Sequence, residues 1–173
     1  MTTESSREVI KRYIQDAIAA EQNFETQLKA FSKQGEQAAV QRVFAEHAIE
    51  TRHQHQRLSA RLAELGGSPS ALKGFFAHIF NFSPRTAQIG HDASEKSSQD
   101  LIVAFAIENS EIAMYEELAV VAAFAGDTET EGLARAIQEE ERAAAKKIWD
   151  LIDSSCRQTF MKATSNPSNV PVY

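Results

Sequence analysis

The chain has one cysteine, Cys156, four prolines and seven glycines in 173 residues. A lone cysteine excludes a disulfide framework and a cysteine-based metal knuckle. So few turn-formers argue against a β-sandwich or barrel, which needs a turn every few residues. No proline precedes Pro69 and none falls between Arg85 and Asn166. Two long stretches are therefore free of the strongest helix breaker. No apolar run reaches the roughly 18–20 residues of a membrane span, and residues 1–11 do not read as a secretory signal. Positive charge is also short, with 18 Lys and Arg against 24 Asp and Glu, a net of −6. That balance is a poor match to nucleic-acid phosphates. The expectation is one mainly helical, cytoplasmic domain over residues 1–163 with a loose tail at 164–173, and neither nucleic acid nor membrane as partner.

What is present is helical period. Four segments are expected, at about 6–33, 37–65, 92–126 and 128–155. Ser5 with Glu8, Asp92 with Glu95 and Thr128 with Glu131 supply N-terminal capping pairs, while Gly35, Gly66 and Gly126 supply stops. The first core stripe is Ile10, Ile14, Ala17, Glu21, Phe24, Leu28 and Phe31, apolar at every place but one. On the second, Val40, Val43, Phe44, Ala48, Leu58, Leu62 and Leu65 flank a polar stretch containing Glu50, Thr51, His53, Gln54 and His55. The third is apolar almost all round, as for a helix deep in a bundle, except near Glu108, Glu111 and Tyr115. The fourth reads Leu133, Ile137, Glu141, Ala144, Ile148, Leu151 and Ser155. Short links make two antiparallel hairpins, and the long 66–91 connection between them fits a ferritin-like all-α four-helix bundle with one crossover. Within the crossover, 71–82 carries Phe75, Phe76, Ile79, Phe80 and Phe82, a short amphipathic helix.

The interrupted stripes carry the chemistry. Glu21, Glu108 and Glu141 each fall near the middle of a different helix, and Glu50 near the middle of the second. Glu111 stands one turn beyond Glu108, and His53 one turn beyond Glu50, spacings that project from one helix face. On the second helix His47 and Gln54 lie closer than His53 to the stripe centred on Leu58, so either could take its place. Clustered glutamates cannot form a dry core, because an uncompensated buried carboxylate costs several kcal/mol. Two divalent cations would supply the missing charge, and mixed carboxylate and imidazole ligation suits iron or manganese, with zinc admitted. The plainer alternative treats each glutamate as a rim residue bent toward solvent.

On Ala20-Glu21-Gln22, Phe44 with His47 and Glu50-Thr51, Glu108-x-x-Glu111 with Tyr115, and Glu139-Glu140-Glu141, the chain resembles rubrerythrin-type di-iron bundles of the ferritin-like superfamily. More closely, it is similar to the bacterial stress-protein family of YciF and YciE, over most of residues 10–152. The resemblance implies Glu21, Glu50, His53, Glu108, Glu111 and Glu141 as ligands of two metal ions, iron before manganese or zinc. Ala145 stands where the rubrerythrin pattern has a fourth-helix histidine, and no rubredoxin cysteines are present.

The function so implied is reaction with dioxygen or hydrogen peroxide, or iron handling, with electrons from an external donor and a homodimer as the unit. Phe24, Ile112 and Ile137 would wall the site, and Tyr115 is either a donor to it or a core aromatic. A competing reading is non-enzymatic, a stress-induced bundle with a structural or absent metal, acting through dimerisation or partner binding by its Phe-rich crossover. His55 is expected to pack on the second helix, His78 and His91 to be exposed in the crossover, and Cys156 to be a packed thiol.

Overall fold

The computed structural model describes residues 5–68 and 95–165. They form four helices, α1 (Ser6–Phe31), α2 (Ala38–Glu64), α3 (Lys96–Ala125) and α4 (Thr128–Ser165). The crossover beyond Ser68, with its expected helix at 71–82 and with His78 and His91, lies outside the described residues, as do Asp92 and residues 166–173.

Helix ends follow local chemistry. Ser5 is extended and its hydroxyl accepts from the Glu8 N–H at 3.4 Å, so α1 begins at its expected cap. Gly126, at φ 74°, takes the left-handed turn that ends α3, and the Asp127 N–H closes back on the Ala122 carbonyl at 2.9 Å. The cap of α4 is Asp127 rather than Thr128. Its carboxylate accepts from the Thr130 N–H at 3.0 Å and from the Thr130 hydroxyl at 2.7 Å. The same carboxylate holds Arg61 Nη2 at 2.7 Å, tying the end of α2 to the α3–α4 turn. Asp127→Ala is expected to cost about 2 kcal/mol, since it removes a cap and one partner of the largely buried Arg61, which keeps Glu64, Glu129 and the Thr130 hydroxyl. Asp127→Asn, which keeps the cap, should lose about half as much; thermal melts at neutral pH would show equal losses if the cap is unimportant.

Two apolar clusters fill the bundle, one toward each end. The first joins Ile10, Ile14, Leu58, Leu62, Leu118, Ala134 and Ile137. The second joins Phe24, Leu28, Phe31, Phe44, Leu101, Ala104 and Ile148. The start of α1 therefore packs on the end of α3, and the end of α2 on the start of α4. Every neighbouring pair is antiparallel, so α2 and α3 run parallel, and the end of α2 and the start of α3 lie at opposite ends of the bundle, roughly 40 Å apart for 27 residues of helix. The α1–α2 and α3–α4 hairpins are closely packed, and the backbones of α2 and α4 approach least closely of the four pairs.

Three expectations need correction. α4 continues ten residues past Ser155, through Thr164 and Ser165, the first two residues of the expected tail. Gln37 holds the extension by donating to the Ser155 carbonyl and the Thr159 hydroxyl, both at 3.2 Å, and Lys162 pairs with Glu36 at 2.7 Å. Ser155 and Thr159 occupy the buried register, which turns Cys156 outward, so the thiol is exposed rather than packed. Nor is α3 enclosed all round: Ile102, Val120 and Phe124 are exposed, and Phe105 packs at a tilt against the exposed Trp149 of α4, 5.2 Å between ring centres.

Candidate metal centre

Between the two apolar clusters the bundle has a polar waist. All seven residues of the α1 stripe are buried, including Glu21. The α3 register brings in Glu108, Glu111 and Tyr115, and the α4 register Glu141. On α2 the buried positions between Phe44 and Leu58 are His47, Ala48, Thr51 and Gln54. Glu139 stays on the exposed face of α4 and Glu140 is half-buried, so of that acidic run only Glu141 enters the core.

His47 is the nitrogen donor of the waist. Its ring meets Phe24 edge-on at 5.6 Å between centres, which fixes its plane. Nδ1 lies 3.2 Å from Glu50 Oε2, and Nε2 lies 2.6 Å from Glu108 Oε1 and 3.9 Å from Glu141 Oε2. The Glu108 contact is an ion pair without the alignment of a hydrogen bond. Burial alone would lower the imidazole pKa, but the Glu108 carboxylate beside it and the Glu50 hydrogen bond overturn that and raise it to about 9. Glu50 is shifted the other way, to about 2, by its bond from His47 and, despite part burial, by Lys147.

The carboxylates have few partners. Glu21 accepts from the Tyr115 hydroxyl through Oε1, while its Oε2 has none. Both oxygens of Glu108, Glu111 and Glu141 are buried without a hydrogen bond, as are Thr51 Oγ1 and Gln54 Oε1. Burial raises the Glu21 carboxyl to about 8, with the Tyr115 bond and the His47 charge opposing the rise. Burial first, then the charges of neighbouring glutamates, lifts Glu111 and Glu141 well above the usual carboxyl range. The Tyr115 hydroxyl is likewise raised by burial and by Glu21.

Such a set asks for a cation. Native interiors leave few buried polar atoms unpaired, yet here they converge. One donor atom each from His47, Glu108 and Glu141 lies within 4.8 Å of the others, a separation one ion can bridge. The chemistry agrees, since a ligating histidine usually donates its other N–H to a carboxylate, and Glu50 stands at Nδ1. Glu21 and Glu111 border this group in the same waist, and their charges act on it.

The expected ligands thus divide. Glu21, Glu108, Glu111 and Glu141 come together in the core, and His47 joins them from α2. Glu50 is half-buried at the edge, bonded to His47 and, at 3.1 Å, to Lys147. His53 is on the exposed face of α2 and lines a surface depression with Glu50, Arg57, Glu140, Ala143 and Lys147. Ala145 is buried, as is Ala144. His55 is half-buried on α2 and reaches α1, with Nε2 3.0 Å from the Gln22 amide. Thr51 and Gln54 complete the waist as neutral groups; Gln54 donates outward to Glu140 at 3.2 Å.

Known proteins share this architecture. No curated protein matches the sequence significantly. The structure of the Escherichia coli stress protein YciF is 20% identical, with a TM-score of 0.78 over 90% of this chain and 99% of that one. A Xanthomonas campestris pv. campestris protein is 24% identical, with a TM-score of 0.77 over 92% and 98%. A dodecameric thioferritin from Bacteroides fragilis is 22% identical, with a TM-score of 0.67 over 91% and 90%. Likeness at these identities is one of fold, a ferritin-like helical bundle. The sequence also matches, over residues 5–161, the family described as a domain of unknown function, DUF892, and on that match the chain belongs to this family.

Proposed function

We propose that the waist is a carboxylate–histidine centre for divalent metal, iron foremost and manganese or zinc as alternatives, serving reaction with a small oxidant or the handling of iron. The convergence of His47, Glu108 and Glu141, with their donor atoms otherwise unpaired, carries the reading. Glu21 and Glu111 are the remaining carboxylates from which a second position would be made. Bound iron would supply one-electron exchange toward dioxygen or hydrogen peroxide, with an external donor restoring it.

The chain's own groups have separable tasks. Glu50 orients the His47 ring through Nδ1. The Tyr115 hydroxyl holds Glu21 and keeps a proton in reach of the centre. Phe24 and Ile137, both fully buried, exclude water from two sides. We carry homodimerisation in the same proposal, with Phe105 and the exposed Trp149 as an apolar surface that suits self-association.

The test is metal content of protein purified without chelator, together with melting curves with and without Fe(II), Mn(II) or Zn(II). One to two equivalents per chain and a higher melting temperature with metal are expected. The gain should vanish in the Glu108→Gln, Glu141→Gln double variant. A melting temperature indifferent to every metal in the parent protein would refute the centre. Oxygen and peroxide consumption by iron-loaded protein then tests the redox part alone.

A further inference from the structure

The centre is enclosed by protein, yet one group bonded to it reaches solvent. Glu50 touches His47 Nδ1 with one oxygen and Lys147 Nζ with the other, and it is 42% exposed. Outside it lies the depression lined by Glu50, His53, Arg57, Glu140, Ala143 and Lys147. This hollow lies on the α2–α4 seam, where the two backbones approach least closely. Here α4 supplies Glu140 and Lys147, with the small Ala143 between them.

We propose that this hollow is the port by which a divalent cation reaches the centre, with Glu50 and His53 as its first ligands and Lys147 as a latch on Glu50. The proposal rests on the reading of the waist as a metal centre. Glu50 and His53 are one turn apart on α2, so their side chains serve a common space, and a carboxylate with an imidazole is a donor pair suited to transition metals. The port's fixed charges balance. Arg57 is bound to Glu140 by two hydrogen bonds, at 3.0 and 2.5 Å, and Lys147 is bound to Glu50 at 3.1 Å. A cation arriving at Glu50 must therefore displace Lys147, and that exchange makes the latch. Handover is short, because among the described residues His47 contacts both Glu50 and the buried carboxylates.

Loading kinetics test this. Co(II) uptake by metal-free protein would be followed by stopped-flow, with final occupancy measured by mass spectrometry and folding checked by circular dichroism. Lys147→Gln should load about three- to tenfold faster than the parent, because it removes a fixed positive charge from the path. His53→Gln, which leaves the Glu50–His47 bond in place, should load about three- to tenfold more slowly, with the same final occupancy. Salt should narrow the difference between Lys147→Gln and the parent, since the latch is a solvent-facing ion pair. Equal rates in all variants, or slower loading in Lys147→Gln, would overturn the port while leaving the centre intact. A parent protein that takes up no cobalt, iron, manganese or zinc would overturn the centre and the port together.

Discussion

Metal-free protein carrying Glu111→Met is expected to melt about 4–8 °C above the parent at pH 8, a gain of roughly 2 kcal/mol. Both Glu111 oxygens are buried without a hydrogen bond, and Glu21 and Glu108 add repulsion to the penalty of burial. Methionine fills similar space without a charge or an unpaired polar atom, and its flexible chain adapts to the gap. With saturating metal the order should reverse. The parent then gains about 2.7 kcal/mol at a ligand concentration a hundred times Kd, while the variant, short of a donor beside the centre, gains less. Reversal separates a group kept for binding from one kept for folding. A variant that melts several degrees below the parent in both conditions would show that Glu111 has a structural partner.

Stability of the metal-free chain should fall as pH rises from about 5 to 9, and metal should abolish or invert that fall. Glu21 has its folded pKa raised from 4.5 to about 8, so its proton favours the folded state fully below pH 4.5, and the contribution is lost as pH climbs toward 8. Glu111 and Glu141 shift in the same direction. His47, raised from 6.5 to about 9, contributes fully below 6.5 and loses its contribution as pH passes 9. Glu50 acts at the other end, since its pKa is depressed from 4.5 to about 2 and its contribution disappears on acidification through that window. Surface carboxylates held low by arginine or lysine, such as Glu36 and Glu116, add to the acid-side loss. Metal ligands must be deprotonated, so metal affinity grows with pH, and the gap between loaded and metal-free melting should widen from pH 6 to 8.5. A metal-free protein equally stable across that range would mean that the glutamates find partners in solution.

Most of the waist can be read from spacing. A glutamate on an apolar stripe is visible because its neighbours at three and four residues are apolar, and Glu21 and Glu141 stand out in this way. Glu108 and Glu111 are visible because α3 is otherwise so apolar. The α2 donor is harder, because the helix is polar at every place from Glu50 to Arg57 and two phases can be drawn through it. The Glu50-x-x-His53 spacing satisfies a metal pattern, whereas continuing from Val40 and Phe44 at steps of three and four leads through His47, Thr51 and Gln54 to Leu58. Packing selects the second phase, since it keeps the apolar ends of the helix inside. The run of α4 past Ser155 has a similar cause. The apolar stripe gives out there, but no breaker occurs before Pro167, and a proline restrains only the residues next to it.

The division of the waist between hairpins has a consequence for the order of folding. The first hairpin contributes Glu21 and His47, and the second contributes Glu108, Glu111 and Glu141. His47, Glu108 and Glu141 become neighbours only when the hairpins dock, so neither half alone can present the three-donor group. A cation then cannot template the early steps, and it stabilises only a chain that has already closed. Glu21 and His47 meet the three glutamates of the second hairpin only across a long connection, a non-local contact that is slow to form. Metal should accordingly slow the opening of the finished bundle far more than it speeds its assembly.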